Sequence, residues 1–423
     1  MSAYKLMTVL TGRVFEDKGW TLSDSEAPAP SLVRTIYDKR QIEFGPQEAG
    51  IYRFADWLPV QRTLKGSSAT VTYRSGRLAE ALGLENLYVA FSGWWPEKGA
   101  LMETCTFKET EAYSVCGRLG ADFDKILVVS SAGNTARAFA RVCSMNNIPL
   151  VLTVPYDCRG ALWFKEPVNP CVKLICTPAG SDYFDAIALG DKIASSPRFL
   201  AEGGAKNVAR RDGMSTTVLS AAEVIGRIPD CYFQAIGSGT GTIAAWEANL
   251  RLIGDGRFGS HKMRLYPSQN IPFTPMHDAW KAGSRALLPM DDDEARAKAL
   301  QITAKVLSNR KPPYSIAGGL FDALSDAGGD IELADNSDIE RCRALFAECE
   351  GVDISAEAAV ALQGLINAVS AGKVSRKENV MLNVTGGGSE LCRSKGEIFT
   401  LEPAAIMTAE ENDVISRVES MFE

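Results

Sequence analysis

The feature that most constrains this chain is a recurring order of short apolar run, turn and amphipathic stretch. Ile126-Leu127-Val128-Val129, Leu150-Val151-Leu152-Thr153-Val154, Val172-Lys173-Leu174-Ile175, Tyr232-Phe233-Gln234-Ala235-Ile236 and Val380-Met381-Leu382-Asn383-Val384 read as strands. Helical patterns such as Tyr183 to Ile193 and Ala358 to Val369 fall between or beside them. Near-continuous apolar strands need cover on both faces, which the helices joining parallel strands supply. The order predicts an α/β fold with ligands at the carboxyl ends of the strands.

Three of the turns have the composition of binding loops. Ser130-Ser131-Ala132-Gly133-Asn134-Thr135 follows the Ile126 strand and opens a helix through Ala138, Phe139 and Val142. Glycine lets a ligand approach the backbone, and the first helical N–H groups suit a carboxylate or phosphate. Read alone, the same turn is an ordinary helix start capped by Asn134. Gly237-Ser238-Gly239-Thr240-Gly241-Thr242 again joins a strand to a helix, and its alternation of glycine and hydroxyl residues suits a phosphate without a basic side chain. It lacks the GKS or GKT ending of a nucleotide-binding P-loop, which favours a single phosphate monoester. The third, Asn383-Val384-Thr385-Gly386-Gly387-Gly388-Ser389, places a threonine hydroxyl beside glycines expected to admit a flat ligand.

Upstream, Leu78 to Leu84 reads as a helix ended by Gly83, and Leu87 to Phe91 as a strand. Gly93-Trp94-Trp95-Pro96-Glu97-Lys98-Gly99 is expected to break regular structure and deliver the chain to Lys108. A lysine by default is a solvated charge with an apolar stem. At the start of a helix that turns Ala112, Val115 and Cys116 inward, Lys108 instead meets the positive helix end and local burial, and both favour a neutral amine. Gly117 and Gly120 are expected to loosen that helix.

Composition limits the alternatives. A net charge of −7 argues against a general nucleic-acid surface. No apolar run approaches the roughly 20 residues that span a bilayer, and the opening residues lack a signal-peptide layout, so a cytoplasmic location without membrane contact is expected. Ten cysteines without a C-x-x-C pair read as small buried thiols, and two histidines, His261 and His277, leave little for a metal centre. No metal is assigned. The acidic cluster Asp291 to Glu294 reads as a solvated helix start.

Taken together, Thr106-Phe107-Lys108, Gly133-Asn134-Thr135 and Thr385-Gly386 resemble the lysine, asparagine and threonine motifs of pyridoxal-phosphate enzymes of the tryptophan-synthase β type, within them the threonine-synthase branch. The resemblance extends over nearly the whole chain and includes Glu202 to Met214 and Gln234 to Gly241. It departs at Glu109, where the branch has aspartate, and at Thr8 and Thr11, where relatives carry cysteines of a small zinc ribbon.

The resemblance implies two parallel-sheet-containing α/β domains and a small N-terminal β unit. Residues 1–60 would form the N-terminal segment, 61–115 with 220–423 the larger cofactor-binding domain, and 116–219 the smaller substrate-side domain. Lys108 would hold pyridoxal 5'-phosphate and act as general base, Asn134 would meet the ring hydroxyl, Gly237, Ser238, Gly239, Thr240 and Gly241 would bind the phosphate, and Thr385 would face the ring nitrogen. The substrate carboxylate would lie on Ser131, Gly133 and Thr135, with Arg210 or Arg211 at a substrate anion. The implied reaction replaces the phosphate of O-phospho-L-serine with sulfite, giving L-cysteate on a route to coenzyme M. Threonine formation from O-phosphohomoserine would use the same cofactor residues. A non-catalytic binding protein on this fold and a nucleotide enzyme built on Gly237-Ser238-Gly239 remain the readings from other classes. A homodimer is expected.

Overall fold

The computed structural model describes residues 3–423. Its larger sheet has six strands, in the spatial order Glu332–Ala334, Arg264–Asn270, Cys231–Ala235, Asn379–Val384, Asn86–Phe91 and Val71–Arg74. Neighbours are parallel except the last pair, which is antiparallel at the edge. The smaller sheet has five parallel strands, Phe199–Ala201, Ile126–Ser130, Leu150–Pro155, Val172–Thr177 and Ala405–Ile406.

Successive side chains of a strand point to opposite faces, and both faces here are filled. Val89, Phe233 and Leu382 pack in a layer with the Ala356–Ser370 helix. Ala90, Tyr232 and Met381 pack in the opposite layer with the Val208–Ile225 and Thr240–Asp255 helices. Each such fully buried large side chain is worth about 1.5–3 kcal/mol relative to exposure, so slipping a strand by one residue would forfeit several at once.

A three-stranded antiparallel unit, Val14–Phe15, Tyr4–Thr8 and Val33–Tyr37, forms the N-terminal β structure. The hydroxyls of Thr35 and Tyr37 both donate to Asp212 Oδ2, at 2.7 and 2.6 Å, which joins this unit to the Val208–Ile225 helix. That helix is buried nearly all round. A Cβ on its Gly213 would lie 2.4 Å from the Thr110 carbonyl oxygen, so glycine is what lets it approach the Lys108–Arg118 helix so closely.

Several expectations need correction. The C-terminal segment, expected with the larger unit, returns to the smaller one: Ala405 and Ile406 pair with Ile175 and Cys176, and Val414 and Val418 pack with Leu189 and Ile193. The reason is cover, since this helix shields one face of the smaller sheet. Tyr37 to Glu43 reads in the sequence as strand-like, but the strand runs Val33–Tyr37 and ends at Tyr37, the partner of Tyr4. Trp94–Trp95 is regular, pairing with Ala100–Leu101 while Trp95 packs edge-on to Phe91 and Tyr73. Gly117 stays inside its helix, where a Cβ would lie 2.9 Å from Val60, so it serves close packing.

The Arg264–Asn270 strand was not among the apolar runs, because Pro267-Ser268-Gln269-Asn270 has no strand pattern. Part of its polar end is satisfied inside the protein: Asn270 Nδ2 donates to the Ala334 carbonyl at 3.1 Å and Gln269 Oε1 accepts from the His277 N–H at 2.8 Å, while Ser268 Oγ and Gln269 Nε2 have no partner among the described residues.

Candidate active site

A cleft of about 760 Å³ is lined from both sheets. The smaller sheet contributes Ser131, Gly133, Asn134 and Thr135, and the larger contributes Gly237 through Gly241 and Thr385. All three turns therefore meet at the carboxyl ends of their strands, Ile126–Ser130, Cys231–Ala235 and Asn379–Val384. Residues 306–309 and 311–313 also line the cleft.

Lys108 lines this cleft as the first residue of its helix. The loop before it is fixed by three interactions. Buried Glu109 accepts from the Thr104 N–H at 2.7 Å and from its hydroxyl at 2.8 Å, Arg137 donates to the Thr104 carbonyl at 2.6 Å, and Thr106 bridges Gly386. The longer carboxylate at position 109 is thus used to hold the loop. Lys108 keeps 21% of its side-chain exposure, and Nζ lies 3.2 Å from Glu111 Oε2. Burial lowers its pKa, Arg210 pushes in the same direction, and Glu111 opposes both.

The asparagine turn differs in detail from a capped helix start. Gly133 is the N-cap, and Asn134 is already helical. Asn134 Nδ2 donates to Glu357 Oε1 at 2.8 Å, across to the other side of the cleft. The Thr135 hydroxyl donates to Glu111 Oε1 at 3.0 Å, and Ser131 Oγ accepts from the Gly133 N–H at 3.2 Å.

In the second turn, Gly239 has φ 79° and caps the Thr240–Asp255 helix. That left-handed conformation favours glycine. The Ser238 and Thr240 hydroxyls are 2.8 Å apart, and the first-turn N–H groups, which have no intrahelical partner, begin in this lining.

The third turn requires a correction. Its glycines were expected to admit a flat ligand, but only Thr385 of this run lines the cleft. A Cβ on Gly388 would lie 1.8 Å from the Trp94 carbonyl oxygen, and one on Gly387 2.7 Å from Phe91. These glycines let the turn press against the segment leading to the lysine.

The two arginines separate. Arg210 lines the cleft, with Nε 2.9 Å from Glu202 Oε1 and Nη1 3.4 Å from Glu111 Oε1. Arg211 does not reach it. It is fully buried, its Nε donates to Glu247 Oε2 at 3.0 Å, and its other nitrogens bond the carbonyls of Ala205 and Val33. Successive helical residues point about 100° apart, so only one of the pair can face the ligand.

Sequence reasoning missed Glu111, Glu202, Glu357 and Tyr183. For Glu111 a signal existed: it stands three residues after Lys108 in a predicted helix, a spacing that puts two side chains on one face. Glu202 heads the Glu202 to Met214 stretch of the resemblance without a role being assigned to it, and Tyr183 and Glu357 come from distant segments that nothing local marks.

The residues fit pyridoxal phosphate. An amine whose charged form is disfavoured stands near a glycine-rich helix start suited to a phosphate, and Thr385 Oγ1 has no hydrogen-bond partner among the described residues. Among the described residues no three His, Cys, Asp or Glu are grouped to hold a metal, and no helix is long and apolar enough to cross a membrane.

Known proteins give the same picture. The chain is 42% identical over 412 residues to a cysteate synthase of Methanosarcina mazei, covering 97% of this chain and 98% of that protein. It is 45% identical over 374 residues to a cysteate synthase of Methanosarcina acetivorans, covering 88% and 90%. The fold is like that of maize serine racemase, with a TM-score of 0.56 at 16% identity over 75% of this chain and 89% of the racemase. The family model described as "Pyridoxal-phosphate dependent enzyme" matches residues 73–386, a span that contains Lys108, the first two turns and the third as far as Gly386, and the chain therefore belongs to the pyridoxal-phosphate dependent enzymes.

Proposed function

We propose that this enzyme converts O-phospho-L-serine and sulfite to L-cysteate and phosphate, breaking the Cβ–O bond and forming a Cβ–S bond. What carries the reading is the identity of 42% over nearly the full length of a protein named cysteate synthase. The cleft chemistry is consistent with it.

Bound pyridoxal phosphate supplies an electron sink that acidifies the Cα hydrogen of an amino acid and allows a β substituent to leave. The protein's own groups do the rest. Lys108 anchors the cofactor and, once freed by the incoming substrate amine, takes the Cα proton and later returns it to the same carbon. Asn134 orients the ring, and the Gly237 to Gly241 turn holds the cofactor phosphate through backbone N–H groups. Thr385 offers the ring nitrogen an uncharged hydroxyl. Ser131, Gly133 and Thr135 receive the substrate carboxylate.

Of the two arginines only Arg210 lines the cleft where a substrate anion would lie, and there it is already paired with Glu202 and Glu111. Lys206 and Lys311 also line the cleft, exposed and without a carboxylate partner among the described residues. Ten free cysteines suit a reducing compartment, which is in keeping with a cytoplasmic location.

The test supplies purified enzyme with phosphoserine and sulfite, then with phosphohomoserine and water, and follows phosphate release with identification of the amino-acid product. Cysteate from the first mixture is expected. Phosphate release from phosphohomoserine alone would replace this reading with threonine formation.

A further inference from the structure

Glu111 is a fully buried carboxylate that does not itself line the cleft, yet it touches three residues that do. Its two oxygens divide the work. Oε1 accepts from the Thr135 hydroxyl at 3.0 Å and lies 3.4 Å from Arg210 Nη1, while Oε2 faces Lys108 Nζ at 3.2 Å. The three partners come from different elements: the Lys108–Arg118 helix itself, the Asn134–Met145 helix and the Val208–Ile225 helix. An isolated buried carboxylate is costly. Here a hydroxyl and a guanidinium meet one oxygen, which leaves the other aimed at the amine.

We propose that Glu111 is a positioning residue that holds the Lys108 amine for proton transfer, with Thr135 and Arg210 fixing its carboxylate. The proposal rests on the reading of Lys108 as cofactor anchor and base, and it is independent of which substrate the enzyme uses. The lysine nitrogen must accept the Cα proton as an ammonium and give it back to the same carbon. Glu111 stabilises that ammonium without entering the cleft, so the proton stays on the lysine and the nitrogen does not swing away. Thr135 moderates the effect, because a hydroxyl donating to Oε1 draws negative charge away from Oε2.

The other groups around Lys108 set the background. Arg210, paired with Glu202, disfavours the ammonium, Glu202 favours it, and burial opposes it. Tyr183, whose hydroxyl burial keeps neutral, lines the same cleft, and the Phe107 ring lies 4.9 Å from Nζ. Of these, Glu111 alone places a carboxylate oxygen within salt-bridge distance of Nζ among the described residues.

The experiment measures the pH dependence of Lys108 acetylation by acetic anhydride in the full-length cofactor-free chain, read by peptide mass spectrometry. Glu111→Gln is expected to lower the Lys108 midpoint by about one pH unit, a tenfold change in proton affinity. Thr135→Val, which keeps the shape and removes the donor, is expected to raise it. Glu111→Asp should restore part of the lost affinity, and in the cofactor-loaded enzyme Glu111→Gln should lower kcat with little change in KM.

A loosened site would move both midpoints in the same direction, so parallel shifts overturn the proposal, as does an unmoved midpoint in Glu111→Gln. Should that variant fail to fold, Thr135→Val decides: no upward shift overturns it. Opposed shifts in an enzyme that makes no cysteate would remove the substrate reading and leave this one standing.

Discussion

The backbone N–H of Phe107 donates to the carbonyl of Thr385 at 2.9 Å. The residue before Lys108 is thus fastened to the turn that follows the Asn379–Val384 strand, which ties the backbone beside Lys108 to that of Thr385. Lys108→Arg keeps the charge but cannot hold the cofactor covalently. The variant should lose the visible absorption of the lysine-bound cofactor and its fixation by borohydride. Turnover should fall by roughly 10²–10⁴-fold, the usual contribution of a positioned general base.

Thr385→Val removes the hydroxyl while leaving the backbone contact to Phe107 intact. Cofactor affinity, followed by fluorescence during titration of the cofactor-free chain, should weaken by a factor equivalent to about 1 kcal/mol, the net worth of one hydrogen bond. The melting temperature of the cofactor-free chain should stay unchanged.

Arg210 and Arg211 should behave differently although they adjoin. Arg211→Ala strips a partner from buried Glu247 and should cost about 3–5 kcal/mol of stability by denaturant unfolding. Arg210→Ala should act on catalysis, raising KM for the phosphorylated substrate. It should also leave Glu111 and Glu202 with one shared counter-charge fewer.

Burial by itself would raise the Glu247 carboxyl, but Arg211, Arg34 and Arg251 outweigh it and hold the group below its ordinary value. A carboxyl depressed in this way stabilises the fold above its unfolded pKa, and that stability is lost as pH falls through the lower folded value. Melting temperature should therefore drop below about pH 5. In Glu247→Gln the curve should start lower at neutral pH and fall less steeply in acid.

Gly213→Val tests the helix contact beneath the site. With a Cβ 2.4 Å from the Thr110 carbonyl oxygen, the two helices must separate. Overpacking of this kind costs about 1–3 kcal/mol, read as a lowered melting temperature. Since the displaced helix carries Lys108, cofactor affinity should fall as well.

The sequence by itself determined the alternation of strands and helices, the placing of all three turns at strand ends, and the singling out of Lys108, which lines the cleft. These are local matters. Apolar periodicity states which faces must be buried, and glycine-rich composition marks where backbone comes close to something else. The strand carrying Pro267 to Asn270 escaped detection because a proline and three polar residues make no apolar pattern, and the distant partners of Gln269 and Asn270 are visible only in three dimensions.

Only the tertiary structure decided that the chain after Phe399 returns to the smaller sheet, that Gly387 and Gly388 serve packing, that Arg210 faces the cleft while Arg211 faces Glu247, and that Glu111 meets Lys108, Thr135 and Arg210 together. Each depends on segments far apart in the chain sharing one buried volume. The pairing of a buried charge is settled by whichever partner the packing brings within a few ångströms, and no local pattern encodes that.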